Sequence, residues 1–410
     1  RPTKLKSRHG ASSALLSIDF DPDSFISPQA SSKIRRLPNM NLKSSADIAS
    51  INILDAPHHR TFERALMRIL ETDLAEETYA EILDGMPTAA TWRDFHRNYD
   101  THPAHDHHEL CSGAHDRARE FRAGFEATSL QFPLFTILAF QEAEPGSKEF
   151  NLRLLELLAV SCHQIAVYLC EINGTTSHHA QHIAWRDEPR EIHWYDAYRP
   201  LVAFSHGAYN AVEQYSHGIA DVAGYWAEAK IFGGVIVFDR GETEVECRDI
   251  YIHATRSNSP ITIFPPTLEQ FNRLMQFLLA NDNVDGSNAP AEGTKAATCP
   301  LPIIATSENR WRWHPWDAFA RFHIFRDRYE RKVSEIRPPD PCQARGNDWP
   351  EMADGALLLV VDDEEESAKI RKRLGMVTPS SRKWGKRGNM QAFYELRRSE
   401  EPKDAWCYNP

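Results

Sequence analysis

Apolar positions recur at helical intervals between residues 60 and 85. In "RTFERALMRILETDLAEETYAEILDG", Phe62, Leu66, Ile69 and Leu70, followed by Leu74, Tyr79 and Leu83, keep one face apolar. That spacing predicts a helix, with Gly85 and Pro87 as its stop signals. A second helix is expected over 115–127 and a third, strongly apolar, over 148–172, ending at Asn173-Gly174. Upstream, the first fifty or so residues are rich in Ser, Pro and Lys and lack sustained periodicity. They predict a poorly ordered arm with short extended pieces, and organised structure is expected from near His58.

From Tyr198 the pattern turns from helical to mixed. "KIFGGVIVFD" is short for a helix and rich in β-branched and aromatic residues, which predicts a strand bent or interrupted at Gly233-Gly234. "DIYIHAT" and "PITIF" follow at short spacing as its sheet partners, in a β-meander. Over 267–282, Leu268, Phe271, Leu274, Met275 and Leu278 form one stripe behind a Thr267 N-cap, an amphipathic helix packed on that sheet. Residues 282–300 and 337–350 have the composition of loops or linkers. Between them "ENRWRWHPWDAFARFHIFRDRYERK" is a segment of Arg and aromatics with a helical centre, and no internal repeat is present.

These elements predict an α/β (or α+β) fold, with a helical N-terminal half and a mixed sheet with packed helices in the central part. The expected organisation is an arm over 1–55 and a main domain over 56–336, helical over 56–175 and sheet-bearing over 195–336. A peripheral basic segment over 337–410 completes it.

Composition narrows the class. With 410 residues, 41% hydrophobic and 26% charged, the chain can bury a large core, which excludes a wholly disordered or fibrous protein. "LLELLAVSCHQIAVYLC" (154–170) contains Glu156, His163 and Gln164, so it predicts a core helix, and no membrane partner is expected. No secretory signal is visible, and because the chain begins at Arg1 the native N-terminus is expected upstream. The seven cysteines (Cys111, Cys162, Cys170, Cys247, Cys299, Cys342, Cys407) are scattered with no C-x-x-C pair. That argues against a disulfide scaffold or a structural zinc site and for a reducing, cytoplasmic setting.

Charge is unevenly placed. Ten Lys or Arg against the single acid Glu395 give 369–398 a balance of +9, so the remainder of this −11 chain carries −20. Lys369, Arg371, Lys372, Arg373, Arg382, Lys383, Lys386 and Arg387, with Trp384, Phe393 and Tyr394 among or near them, suit phosphate contact and base stacking. The competing reading is a solvated surface ion-paired with the acidic run "DDEEES" at 362–367.

Candidate chemistry falls in three places. "HRNYDTHPAHDHHELCSGAH" holds His96, His102, His105, His107, His108 and His115, and His105 with Glu109 or His108 is the natural start of a zinc or copper site. The stretch lacks H-E-x-x-H or facial-triad spacing, which favours a polar connection between helices, and no metal is assigned. A looser group, His178, His179, His182 and His193, leaves open a site shared between the two.

The stretch 201–242 is richer. It concentrates Ser205, His206, Tyr209, Tyr215, His217, Asp221, Tyr225, Trp226, Glu228, Asp239 and Arg240. An apolar strand delivering an Asp-Arg pair at its end places polar groups at the mouth of a sheet, where pockets form. Ser205 and His206 offer a hydroxyl and a base, although adjacent side chains often point apart. The competing reading makes Asp239-Arg240-Gly241 a strand end and turn, Tyr225 and Trp226 core anchors, and Glu228 the partner of Lys230 or of a distant Arg.

Several segments carry a resemblance: "LLELLAVSCHQIAVYL", "AFSHGAY", "QYSHGIADVAGYWAEAKIFGGVIVFDRGE", "CPLPII" and "IFRDRYERK". Over about residues 150–335 the chain resembles a large group of fungal proteins, most specifically in "GYWAE" and "IFGGVIVFDR". That group is similar to the fungal arginine-containing cyclodipeptide synthases, which join arginine from Arg-tRNA to a second amino acid as a diketopiperazine. The resemblance implies an aminoacyl transferase of specialised metabolism that needs no cofactor and takes aminoacyl-tRNA as partner; it transfers no catalytic position. For such chemistry Asp221, Glu228 and Asp239 are candidate guanidinium partners, with Tyr209 and Arg240 also in the substrate site. Ser205 with His206 or Tyr225, together with Glu228, would serve acyl transfer. The basic segment, with Arg310, Arg312, Arg321, Arg326, Arg328 and Arg331, would contact tRNA. Two rivals are a His-rich metal-dependent enzyme acting on a small metabolite and a non-catalytic interaction module. A chelator would inactivate the first, and an exposed apolar patch would mark the second.

Overall fold

The computed structural model describes residues 48–96, 101–173, 176–190, 199–280, 298–338 and 348–384, with residues 391, 393 and 395. The expected arm up to residue 47, His193, Lys386 and Arg387 lie outside the described residues. Helices dominate, joined by two small antiparallel sheets, as a mixed α/β or α+β fold requires.

Among the described residues, strand β1 (Ile48–Ser50) and a 3-10 turn that buries Ile51 precede the expected boundary near His58. The apolar stretch 60–85 forms two helices rather than one, α1 (Ala56–Leu70) and α2 (Asp73–Asp84). The break has a local cause: the Thr72 side chain accepts a hydrogen bond from Ala75 N and so caps a new helix. Next come α3 (Ala89–Phe95) and α4 (Ala114–Gly124). Strand β2 (Gln131–Pro133) pairs with β1 in register Ala49 to Phe132. After α5 (Leu134–Glu142), the Ser147 side chain caps Phe150 N and opens α6 (Lys148–Ile172).

Helix α6 is long and apolar enough to cross a membrane, yet it is buried on all sides as the core helix the composition predicts. Helix α7 (Ser177–Asp187) follows, and then α8 (Ile219–Phe232), which packs along α6 and is buried from Ala220 to Phe232. Here the structure corrects the expectation for "KIFGGVIVFD". Lys230, Ile231 and Phe232 are the last turn of α8, Gly233 is its left-handed cap (φ 96°), and strand β3 spans Val235–Asp239. The glycine pair is thus the joint between helix and strand, not a bend within a strand. A side chain at Gly233 would also collide with the Ile303 carbonyl.

The sheet partners follow the predicted order only in part. Strand β4 (Ile250–His253) pairs antiparallel with β3, and Phe264 and Trp313 extend that side through single bridges. The other edge of β3 takes β5 (Ile324–Phe325), giving the order β4-β3-β5. Helix α9 (Leu268–Leu279) has a full capping box between Thr267 and Gln270, and α10 (Pro315–Phe322) precedes β5.

The described part of 337–410 is tied to the body rather than lying apart from it. Helices α11 (Pro350–Leu357) and α12 (Glu364–Gly375) are joined to it through Arg310, which donates to Asp354 Oδ2 at 2.6 Å. Phe393 is buried in the main core.

Candidate functional site

Helices α6 and α8 are apolar apart from polar residues at matching intervals. Glu156 and His163 are seven apart on α6, and so are Asp221 and Glu228 on α8, so each pair shares one helix face. The two faces meet. His163 Nε2 is 3.0 Å from Asp221 Oδ1, and its Nδ1, 3.9 Å from Glu228 Oε2, has no hydrogen-bond partner among the described residues. Gly224 makes this approach possible, because a Cβ there would lie 2.7 Å from His163 Cε1. Asp221 Oδ2 accepts the His217 N–H at 2.7 Å at the start of α8. Burial resists ionisation of Asp221, but His163 and that N–H more than offset it and hold the carboxyl below its usual range.

Strand β5 and the turn after it close the site from the far end of the chain. Arg326 donates to Glu228 Oε2 at 2.6 Å, while Glu228 Oε1 accepts the Ile236 N–H of β3 at 2.7 Å. The Arg326 guanidinium lies 5.3 Å from the centre of the Tyr225 ring, which stacks on Tyr209 behind it. Glu330 folds back so that Oε2 accepts from Arg326 N and Asp327 N, at 2.8 and 3.3 Å. Its Oε1 is buried without a hydrogen-bond partner among the described residues, with Arg331 Nε at 3.8 Å. Burial pushes the Glu330 carboxyl up to about 7 against the pull of Arg331 and Arg326.

A second ion network forms the floor. Glu156 receives Arg240 at 2.7 Å and Arg153 at 2.9 Å, and Arg240 also donates to the Phe325 and Arg326 carbonyls. Burial disfavours the Glu156 charge, yet the two guanidinium groups outweigh it and its carboxyl stays below the usual range.

Between these groups lies a cleft of about 290 Å³, walled by His163, Asp221, Tyr225, Glu330 and aromatic rings that include Phe132, Tyr215 and Phe325. Its arginines are already engaged: Arg326 by Glu228, Arg240 by Glu156, and Arg328 by Glu244. Among the described residues, Glu330 Oε1 is the carboxylate oxygen of its wall that is buried without a hydrogen-bond partner, alongside Thr136 Oγ1 and His163 Nδ1. Such a cleft suits a cation with an apolar stem better than an anion.

The predicted site residues divide. Asp221, Tyr225 and Arg240 line the cleft, and Glu228 stands directly behind it. Ser205 and His206 are not in its wall and do not form a pair. Ser205 Oγ is 3.0 Å from His96 Nε2, while the His206 ring is held by the His253 carbonyl and the Ala208 N–H. Tyr209 hydrogen-bonds His253 Nδ1 at 3.1 Å, so it supports the wall without lining it. Asp239 accepts the Gly241 N–H as a turn residue and borders a separate hollow beside His323. His163, Glu156 and Glu330 join the site beyond the residues the sequence points to, and Arg326, expected at tRNA, belongs to it as well. The seven-residue polar spacing in two apolar helices was the available signal for Glu156 and His163.

The histidine groups do meet, but through pairs and stacks. His102 Nε2 lies 2.9 Å from His182 Nδ1, and Trp92 stacks between His96 and His102. Burial lowers His96 to about 3, His102 to about 2 and His182 to about 4, so all three rings are neutral near pH 7. In the basic segment, Lys369 pairs with Glu365 at 2.8 Å, Arg371 with Glu364 at 2.8 Å and Arg373 with Asp354 at 3.1 Å. Lys372, Arg382 and Lys383 are exposed.

No family model matches the chain, and no curated protein or solved structure matches it.

Proposed function

We propose that the chain is an aminoacyl-transferring enzyme that builds an arginine-containing cyclic dipeptide from aminoacyl-tRNA, with the arginyl side chain held in the cleft between α6, α8 and the turn after β5. The observation that supports this most is Glu330: a buried carboxyl with one oxygen lacking a hydrogen-bond donor, set in an aromatic-walled cleft whose other acids are matched by cations or N–H groups. A guanidinium supplies the planar donors that oxygen lacks, and the Tyr215 and Phe325 rings offer faces for its stem.

His163 is the proton-handling group of this reading. Its Nε2 faces Asp221, which orients the ring, and its Nδ1 has no hydrogen-bond partner among the described residues. In each amide-forming step an α-amine attacks the ester carbonyl of an aminoacyl group. The C–N bond forms, the ester C–O bond breaks, and the amine proton passes through His163 to the departing ribose hydroxyl. No acyl-enzyme at Ser205 is required, consistent with its position away from the cleft. Aminoacyl-tRNA as substrate would place the reaction in the cytoplasm.

Expression in a host cell followed by mass spectrometry of the medium tests the proposal. Arginine-containing cyclic dipeptides are expected from the wild type, a loss of about 10²–10⁴-fold from His163→Asn, and retained product from Ser205→Ala. Folded wild-type protein that yields none of these products overturns the reading, and undiminished product from His163→Asn overturns the assignment of the base.

A further inference from the structure

A second cluster stands apart from the cleft, where the C-terminus of α2, the connection before α4 and the start of α7 converge. Asp84, the last residue of α2, is 3% exposed. Its Oδ2 lies 2.9 Å from His107 Nε2 and 3.3 Å from His178 Nδ1, and it accepts the Cys111 N–H at 3.3 Å. Cys111 Sγ is 3.9 Å from His178 Nε2, and one donor atom each from Asp84, Cys111 and His178 falls within 4.8 Å of the others.

His107 is anchored beside Asp84, with its Nδ1 3.0 Å from the Pro87 carbonyl oxygen and its Nε2 2.9 Å from Asp84 Oδ2. The His107 and His178 rings are themselves only 4.6 Å apart.

We infer that Asp84, Cys111 and His178 form a binding site for a divalent transition metal of the zinc class, with His107 orienting the Asp84 carboxylate. One thiolate, one imidazole and one carboxylate are donor types that such an ion takes, and a water molecule would complete four-coordination. Binding releases the Cys111 thiol proton to solvent and changes no oxidation state. The ion would act as a clamp, because its ligands come from three separate segments. It would add to side chains such as Asn173, which donates to the Ile82 and Leu83 carbonyls, and Arg117, which donates to the Leu83 carbonyl. The exposed thiol of Cys111 provides the route of entry. The site is independent of the cyclic-dipeptide reading.

Cobalt(II) is the probe. The purified full chain, stripped with a chelator and titrated with Co²⁺, is expected to bind one equivalent with a tetrahedral spectrum and a thiolate-to-cobalt charge-transfer band. Zn²⁺ should displace the cobalt and raise Tm. Cys111→Ser should abolish the charge-transfer band and weaken binding at least about tenfold, and His178→Asn should weaken it similarly. Failure of the folded wild type to bind one equivalent overturns the inference, as does a titration unchanged in Cys111→Ser. Because Cys111 is exposed, that variant remains informative even if His178→Asn does not fold.

Discussion

Arg326 Nη1 lies 2.6 Å from Glu228 Oε2, with both side chains buried and nearly a hundred residues between them in sequence. Each is the other's main electrostatic justification. Glu228→Gln or Arg326→Met alone leaves an uncompensated charge inside the protein, and each is expected to cost about 3–5 kcal/mol. The double variant should cost clearly less than the sum. Denaturant unfolding of the four proteins measures this, and additive losses would show that the pair is not coupled.

Gly224 sits where α8 passes closest to α6, and Gly224→Ala drives a methyl group into the His163 ring. The expected cost is about 1–3 kcal/mol from overpacking, with a larger loss of product because the ring is displaced from Asp221. Parallel measurement of Tm and cyclic-dipeptide yield separates the two effects. A variant with normal stability and normal yield would place His163 outside the reaction.

Glu330 makes stability depend on pH in a defined direction. Burial raises its folded carboxyl to about 7, above the unfolded value, so the native state holds a proton that the unfolded chain releases. Its contribution is complete below the unfolded carboxylate range and is lost as pH rises through about 7. The buried imidazoles act oppositely. His96, His102 and His182 have folded values of about 3, 2 and 4, so they favour the native state above the normal histidine range and lose that contribution as pH falls. The difference between wild type and Glu330→Gln isolates the carboxyl. Relative to the variant, wild-type stability should decline between about pH 4.5 and 7; a flat difference contradicts the raised carboxyl.

Helix α12 carries acids in its first turn and bases in its last, an order that complements its own dipole, and three of the basic residues proposed for tRNA are ion-paired. The exposed Lys372 and Lys383 remain for phosphate. Binding of tRNA should weaken as salt rises, and replacing both with Ala should lower the salt slope by about 2. Binding indifferent to salt would remove this surface from the reading.

Elements whose periodicity matched their packing were legible in the sequence. Helix α9 was bounded by its Thr267 cap, and α6 by its length and apolar content. The joint between α8 and β3 was not, because Ile231, Phe232, Val235 and Ile236 suit a buried helix or a buried strand equally well. Gly233 marks a helix end as readily as a strand bend. Of the cleft, Asp221, Tyr225 and Arg240 were legible as polar groups crowded into one segment. That Glu228 could pair with a distant Arg was legible, but that the partner is Arg326 was not, nor was the pairing of Ser205 with His96 rather than His206. Those choices depend on which distant segments the fold brings together, and Glu330 gains its character only from a turn formed by Arg326 and Asp327 N–H groups.

The placement of β5 beside β3 has a consequence for synthesis on the ribosome. When β4 has emerged and paired, the opposite margin of β3 still lacks its neighbour, and Glu228 still lacks Arg326, until some seventy further residues have been made. A nascent chain halted before residue 324 would therefore carry an unmet backbone edge beside an unneutralised carboxylate, and chaperone engagement should peak at that length.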